Sequence, residues 1–229
     1  MKFTLHYDGP LPSSGNKHKN AVKWEIRSKL HPQLVDLWVS HPALRAVEDN
    51  RHFPKSGGAT LTQAHHLYPG PVNAPITGPL PLGYRGREPY SQPEPRELLD
   101  LCEAIEKHGA WFRPLVRDSY ALHCGMKVRF LRKEPPGKVY QGGDIDGRIK
   151  TLVDALTMPR HIEQVLDRTS SEASPIYCLL EDDSLVSGFE VESERLLGDQ
   201  DNAADWVKLI IEVDVRVRQA TIYNQSFIG

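Results

Sequence analysis

Two short acidic segments and one lysine are the residues of this sequence whose types and spacing could support catalysis. The first segment is DID at 144–146, and Lys150 follows its second acid by four residues. The second segment is EDD at 181–183, which lies between apolar residues. Carboxylate oxygens are the ligands that Mg²⁺ and Mn²⁺ prefer, and two such ions about 4 Å apart support in-line attack of water on a phosphodiester. The sequence therefore raises the hypothesis of a metal-dependent hydrolase.

The same acids also have a purely structural interpretation. Asp146 is a suitable N-cap for a helix that begins at Gly147, and carboxylates interact favourably with the positive end of a helix dipole. Lys150 lies four residues from both Asp146 and Asp154, which permits weak ion pairs along one helix face. The EDD segment by itself is typical of a polar turn between strands. The two interpretations differ in whether the two acidic segments approach each other in the folded chain.

Alternation of apolar and polar residues predicts the strands that must position these acids. Long strands are predicted at 120–130 and 207–217, where every second residue is apolar. Shorter strands are predicted at 3–7, 176–180 and 189–191. The EDD segment therefore directly follows a predicted strand.

Apolar residues at helical spacing predict the helices. One helix begins near Asp146. Residues 20–39 are predicted to be helical, with Pro32 in the first turn of a second helix. Another helix is predicted at 96–108, followed by Gly109 as its C-terminal glycine. Because strands and helices do not alternate, we expect an α+β fold with a mixed or antiparallel sheet packed with helices.

Residues 1–229 are predicted to form a single domain that carries a long Pro/Gly-rich insertion. The insertion is placed at 41–115 and is expected to consist of irregular loop plus one helix. Nine of the eighteen prolines of the chain fall within residues 50–95, which argues against regular strands and helices there. A loop of this length is either functional or an ordered insertion.

The composition and charge of the chain are those of a soluble globular protein. Its 229 residues are 39% hydrophobic and 25% charged, and none of its apolar runs approaches the roughly 20 residues that span a bilayer. Without a signal-peptide pattern at Met1, we expect no membrane association and a cytoplasmic location. The three cysteines are widely spaced and match neither a disulfide framework nor a zinc pattern. They are expected to be small buried hydrophobic residues.

The charge is distributed unevenly along the chain. The net charge is −2, but residues 113–160 carry ten Lys/Arg against five Asp/Glu. Residues 161–205 carry two Lys/Arg against twelve Asp/Glu. Such asymmetry permits a local basic face on a nearly neutral protein, although it is equally compatible with solvated surface.

The segment DIDGRIKTLVDAL, followed by EDDSLV, resembles the RusA-type Holliday junction resolvases. The segment LPSSGN at 11–16 is also similar to the proline-rich loop that follows the first strand in that family. The resemblance implies a Mg²⁺-dependent (or Mn²⁺-dependent) endonuclease of DNA recombination and repair that acts as a homodimer on four-way junctions. It also implies the residue roles. The metal ligands would be Asp144, Asp146 and Asp183 with Asp182 beside it, and Lys150 would be the essential lysine.

Departures from the family pattern also lie in the first segment. The family usually has asparagine where this chain has Gly147, and basic residues where it has Gly142 and Gly143. Separately from these departures, basic residues elsewhere in the chain are expected to contact the DNA backbone. We expect this role for Lys17 and Lys19 in the loop after the first strand and for Arg148 at the helix start.

Two other functions remain open at this point. The residues DIDG resemble the start of a haloacid-dehalogenase-type phosphatase, but the preceding KVYQGG is not the hydrophobic parallel strand which that motif requires. The other alternative is a non-catalytic DNA-binding or interaction module on the same fold. The presence of both acidic segments together with Lys150 favours the nuclease over either alternative.

Overall fold

The computed structural model describes residues 1–49, 53–54, 98–99, 101–133, 145–197, 205–220 and 224–228. Helices and strands are mixed along this part of the chain, which confirms the predicted α+β class. The elements in chain order are β1 Lys2–Pro10, α1 Lys19–Ser40, α2 Pro42–Asp49, β2 Phe53–Pro54, β3 Leu98–Leu99, β4 Ile105–Lys107, β5 Ala110–Val116, β6 Leu122–Arg132, α3 Ile145–Leu156, β7 Ile176–Leu180, β8 Val186–Arg195 and β9 Trp206–Val217.

The larger sheet has four strands in the order β1-β9-β6-β8. The β1/β9 and β6/β9 pairs are antiparallel, whereas β8 pairs with β6 in parallel, so the sheet is mixed as predicted. Alternation fixes which face is buried, and the register aligns Leu5, Ile211 and Val128 in one row of the inner face. All three are almost fully buried. This inner face forms one wall of the main hydrophobic core.

Helix α1 packs its apolar stripe into that core. Ile26, Leu30 and Leu34 recur at helical spacing and are buried. The prediction of two helices in this region is wrong, because α1 continues through Pro32. Proline cannot bond to the carbonyl four residues earlier, which here belongs to Ser28. Both residues lie on the exposed side of α1, while the buried stripe continues without interruption on either side of the proline.

A smaller mixed sheet has the order β4-β5-β7, with β4/β5 antiparallel and β5/β7 parallel. Strand β7 matches its predicted limits and ends where the EDD segment begins. The backbone N–H of Glu181 donates to Val116 O at 3.0 Å, so the start of the acidic segment is held at the end of β5.

The helix predicted at 96–108 is wrong, since Leu98–Leu99 and Ile105–Lys107 are strands. The apolar spacing there reflects burial of Leu101 and Cys102 in a turn rather than one face of a helix. Gly109 does adopt a positive φ of 79°, but beside His108 at 57° it forms the two-residue turn of the β4–β5 hairpin. Positive φ at both central residues is the preferred geometry of such turns.

Most of the predicted proline-rich insertion lies outside the described residues, including 50–52 and 55–97. Its described C-terminal part contributes β4 and most of β5 to the smaller sheet and is not irregular. The three cysteines are buried as predicted. Among the residues placed by the structure, no helix is both long enough and apolar enough to cross a bilayer.

Candidate functional site

The loop after β1 packs directly on the first turn of α3. The backbone N–H of Ser14 donates to Gly147 O at 3.0 Å, and the Thr151 hydroxyl donates to the same oxygen at 3.1 Å. Asp146 is exposed, and its Oδ1 accepts the Gly147 N–H at 2.7 Å. The prediction that Asp146 is the N-cap is wrong, because the helix begins at Ile145 and Asp146 lies within its first turn, where its charge still faces the positive end of the helix dipole. The LPSSGN loop and the first turn of α3 are brought together.

This contact explains the glycine at position 147. A Cβ atom there would lie 2.5 Å from Ser13 Oγ, 3.4 Å from Ser13 Cβ and 3.5 Å from Ser14 N. The first distance is far below van der Waals contact, so a larger residue would require the Ser13 hydroxyl to move, whereas the other two distances are ordinary van der Waals contacts. Glycine at this position lets the loop approach α3 this closely.

We predict that Gly147→Asn lowers the free energy of unfolding by about 1–2 kcal/mol through overpacking against Ser13. In a Ser13→Gly background the same substitution should cost less, giving a coupling of at least about 0.5 kcal/mol. Gly15→Asn is the matched control, because a Cβ at Gly15 meets nothing within 4 Å. Urea unfolding of the four proteins and the control measures these differences. Equal costs of Gly147→Asn in both backgrounds would contradict the steric explanation.

Helices α1 and α3 lie side by side with their first turns at the same end. Lys19, at the start of α1, donates its ammonium to Ser14 O in the loop that touches the first turn of α3. Further along, Lys23 Nζ forms an ion pair with Asp154 Oδ2 at 2.6 Å. One turn later, Arg27 donates to the carbonyl of Thr157, just past the end of α3, at 2.8 Å. The contacts advance along both helices in the same direction, so their positive dipole ends coincide.

This arrangement changes the pairing predicted within α3. Asp154 pairs with Lys23 of α1 and not with Lys150. Lys150 is exposed and makes no ion pair with another described residue. Helix α1 also has no acidic residue in its first turn. The end of the molecule at which α1 and α3 begin therefore has two helix N-termini and the exposed lysine Lys150, all of which favour anions.

Strand β7 runs in the opposite direction to α1. Early in the strand, the Tyr177 N–H donates to Nδ1 of His31 at 3.0 Å. Its last residue, Leu180, forms a parallel bridge with Thr157, which in turn contacts Arg27. Beyond Leu180 the chain therefore continues towards the end at which the two helices begin. The EDD segment is directed towards the same end as Asp146.

The acids of that segment are held by Arg160. One guanidinium nitrogen, Nη2, lies 3.0 Å from Asp182 Oδ2 and also forms an ion pair with Asp183 Oδ1. Asp182 Oδ1 accepts the Ser184 N–H at 3.0 Å and so caps a short 3₁₀ turn. An arginine that sequence analysis did not select therefore offsets the repulsion between these neighbouring carboxylates.

These contacts perturb the protonation of the cluster. Hydrogen bonds from Ser184, followed by the contact with Arg160, lower the pKa of Asp182 from its ordinary 3.8 to about 2. The hydrogen bond to Asp182 in turn raises the pKa of Arg160. Both groups are therefore charged at neutral pH.

We predict a small acid-sensitive contribution of Asp182 to stability. Since its pKa is lower in the folded protein, the contribution is complete above about pH 4 and is lost as the pH falls towards 2. The side chain is 47% exposed, so solvent screening limits the contribution to about 1 kcal/mol or less. Urea unfolding of wild type and Asp182→Asn at pH 5 and pH 2 should show a smaller pH-dependent loss for the variant, by about that amount. An equal loss would contradict the assignment.

The remaining predicted residues have different outcomes. Asp144 lies outside the described residues, so its distance to Asp183 stays open. Within the described part of the chain, no three His, Cys, Asp or Glu side chains lie close enough together to hold a metal ion. Lys17 is exposed and Lys19 is half-buried, so the predicted contact of these two residues with DNA stays a prediction. Arg148 is only 1% exposed, which corrects the prediction that it contacts the DNA backbone directly.

Sequence reasoning missed three cations that shape the site, namely Lys23, Arg27 and Arg160. The first two occupy the buried face of α1, where a helical pattern would place apolar side chains. Their spacing of four residues on that face was the available signal, because a buried cation needs an oxygen partner. Arg160 gave no comparable signal, since it follows Pro159 in a segment without periodicity.

No protein-family model, curated protein or solved structure matches the chain.

Proposed function

We propose that the chain is a Mg²⁺-dependent structure-selective endodeoxyribonuclease similar to the RusA-type junction resolvases. The observation that carries the proposal is the packing of the LPSSGN loop on the first turn of α3, which unites two separated motifs of the resemblance. The direction of β7, which leads the EDD segment towards the same end, adds the third motif. The substrate proposed is branched DNA of recombination and repair, cut by a homodimer with one site in each subunit.

The donor set at this end suits a hard divalent cation. Asp146 offers an exposed carboxylate, and one oxygen each from Asp182 and Asp183 already converges on a single cationic nitrogen of Arg160. The resemblance assigns Asp144, Asp146, Asp182 and Asp183 as the oxygen ligands of Mg²⁺ or Mn²⁺, although in the described part of the chain Asp146, Asp182 and Asp183 do not come together as one three-carboxylate group. When bound, the cation would supply stabilisation of negative charge that develops on the phosphate during hydrolysis.

The other groups of the site act on the phosphodiester itself. Exposed Lys150 is placed one turn beyond Asp146 and can stabilise negative charge on a phosphate oxygen. The positive ends of α1 and α3 face the same region and favour binding of phosphate. Lys17 in the adjoining loop and Lys19 at the start of α1 can neutralise neighbouring phosphates and orient the DNA strand.

The direct test is cleavage of end-labelled DNA. Purified protein is incubated with a four-way junction, a flap, linear duplex and single-stranded DNA in Mg²⁺ and in Mn²⁺, with EDTA as the metal-free control. We expect metal-dependent nicking, with the junction or flap cut faster than linear duplex. If all four substrates stay intact in both metals, the nuclease proposal is wrong.

A non-catalytic DNA-binding or interaction module is the second candidate. The observation that favours it is that Arg160 forms ion pairs with both Asp182 and Asp183, so these carboxylates are neutralised by a protein side chain rather than by a metal ion. Such a module would bind junction or duplex DNA without cutting it, and its affinity would fall steeply as salt rises. Binding titrations at two salt concentrations, run beside the cleavage assay, distinguish it from the nuclease.

A further inference from the structure

We propose that the outer edge of β8 is an interaction surface that adds an extended strand of a partner protein, a strand in which lysine or arginine alternates with apolar residues. Strand β8 lies at one end of the larger sheet, where it pairs with β6 on one side. Its other side is a surface that the proposed function does not use, and the proposal does not depend on that function.

The two edges of the larger sheet differ in how they are covered. Along β1, the side-chain amide of Gln33 pairs with His6, accepting its N–H at 2.9 Å and donating to its carbonyl at 2.8 Å. Lys29 Nζ donates to the carbonyl of Asp8 at 2.8 Å, so side chains of α1 close this edge. Along β8, β6 is the only described element that pairs with the strand. A strand of ten residues therefore presents outward-facing N–H and C=O groups that can pair with a further strand.

The inner face of β8 favours apolar residues in the added strand. Met126 and Val128 of β6 are buried in the inner face of the sheet. Their partners on β8 are less covered, since Phe189 is 37% exposed and Val191 is half-buried. Side chains of adjacent strands on one face lie in contact, so an added strand would cover these two residues with its own apolar side chains.

The outer face of β8 favours basic residues at the intervening positions. Glu190, Glu192 and Glu194 alternate with the inner-face residues and lie on the outer face. Lys127 of β6 pairs with two of them, because its Nζ lies 3.2 Å from Oε1 of Glu190 and 2.7 Å from Oε1 of Glu192. Opposite charges on adjacent strands stabilise their pairing. Basic residues on the other side of β8 would therefore interact with the same glutamates from the open edge.

The same glutamates disfavour a second copy of the chain as the occupant. Antiparallel pairing of β8 with itself, centred on any residue from Glu190 to Glu194, places two glutamates directly opposite each other. Like charges in that position are destabilising, so the edge selects against self-association. The pattern that fits is already present in the sheet, since residues 127–130 of β6 read Lys-Val-Arg-Phe and pair with β8 along its inner side.

The probe for this surface is a fluorescent synthetic peptide, MKVRFLR, which copies residues 126–132 of β6. One control peptide carries glutamate in place of its three basic residues. The other, KRRMVFL, has the same composition and charge but lacks the alternation. Fluorescence anisotropy with the full chain measures binding, and we expect both controls to bind at least about tenfold more weakly, because several cross-strand pairs are lost together.

One variant and its matched control test whether the peptide binds at β8. Glu192→Gln should weaken binding of the peptide roughly two- to fivefold, because one cross-strand charge pair is lost. Glu25→Gln on α1 is the matched control, since Glu25 also pairs with a lysine, Lys29, and its side chain is 40% exposed against 43% for Glu192. The control should leave binding unchanged within about 1.5-fold, because a distant exposed charge is screened.

Hydrogen exchange followed by NMR locates the contact along the chain. Bound peptide should slow the exchange of outward-facing amide protons of β8 and leave those of β1 unchanged, because exchange reports where backbone groups gain partners. The proposal is overturned if the three peptides bind equally, if none of them binds, or if Glu192→Gln binds as tightly as wild type.

Protection of β8 in the protein alone also overturns the proposal, if it rises with protein concentration while sedimentation shows a dimer. A second copy of the chain would then occupy the edge. These measurements do not involve DNA cleavage, so failure of the nuclease proposal and failure of this one are distinguishable.

Discussion

Asp146→Asn is expected to lower the rate of metal-dependent DNA cleavage at least roughly 100-fold, because even residues that only support metal ligands cost 10–100-fold when changed. The amide keeps one oxygen but loses the negative charge that attracts the cation. Cleavage of a labelled four-way junction under single-turnover conditions, with Mg²⁺ in excess, measures the effect.

The substitution should barely change stability, which makes the comparison clean. Asp146 is exposed, and the oxygen of an asparagine can still accept the Gly147 N–H. Loss of its charge at the helix start should cost about 0.5 kcal/mol or less. Asp36→Asn is the matched control, an exposed aspartate on the side of α1 near its C-terminal end, and its activity should equal that of wild type. If Asp146→Asn cuts as fast as this control, Asp146 is a helix-start residue only.

Arg27→Ala is expected to lower the free energy of unfolding by about 3 kcal/mol, the largest loss we predict for a single polar side chain in this protein. Arg27 is only 2% exposed and donates to the carbonyls of Asp154 at 3.2 Å and Thr157 at 2.8 Å. These carbonyls lie at the C-terminal end of α3, where helix carbonyls lack partners within the helix and a cation is favoured by the dipole. Alanine leaves both buried oxygens without this donor and adds a cavity.

Urea unfolding followed by circular dichroism measures the loss, and two variants divide it into its causes. Arg27→Met keeps most of the side-chain volume and removes only the donors, so it should cost about half as much. Arg45→Ala, an exposed arginine of α2, should change the free energy of unfolding by less than about 0.5 kcal/mol. A loss below that of the Arg45 control would show that Arg27 does not anchor the end of α3. Burial lowers the pKa of Arg27 to about 10, so the side chain stays protonated in a neutral buffer.

The strands show how much of the secondary structure can be predicted from local sequence patterns. Alternation located β1, β6, β8 and β9, because a side chain in a strand faces the side opposite to its neighbours and one face of the larger sheet is buried. The helix predicted at 96–108 failed because apolar spacing alone is not sufficient evidence of a helix. Four apolar residues matched helical spacing there, but two of them are buried in a turn, and the positive φ of Gly109 serves a hairpin. Short apolar runs leave helix and strand ambiguous.

The sequence did not reveal which residues the charged side chains pair with. Local spacing assigned Asp154 to Lys150, yet it pairs with Lys23, which lies 131 residues away in the chain. The ion pair with Lys23 is favoured because both groups are largely removed from water, whereas a pair on the exposed helix face gains only a few tenths of a kcal/mol. Arg148 is likewise buried because of tertiary packing, and its position near the start of a helix did not predict this burial.

By itself, the sequence determined the α+β class, most of the strands and the presence of an acid at the start of α3. These depend on periodicity and capping, which act over a few residues. Only the tertiary structure decided that the loop after β1 packs closely against Gly147 and that Arg160 holds Asp182 and Asp183. Both contacts join segments that no local pattern relates, because they depend on how close the backbones of separate elements approach after the core has packed.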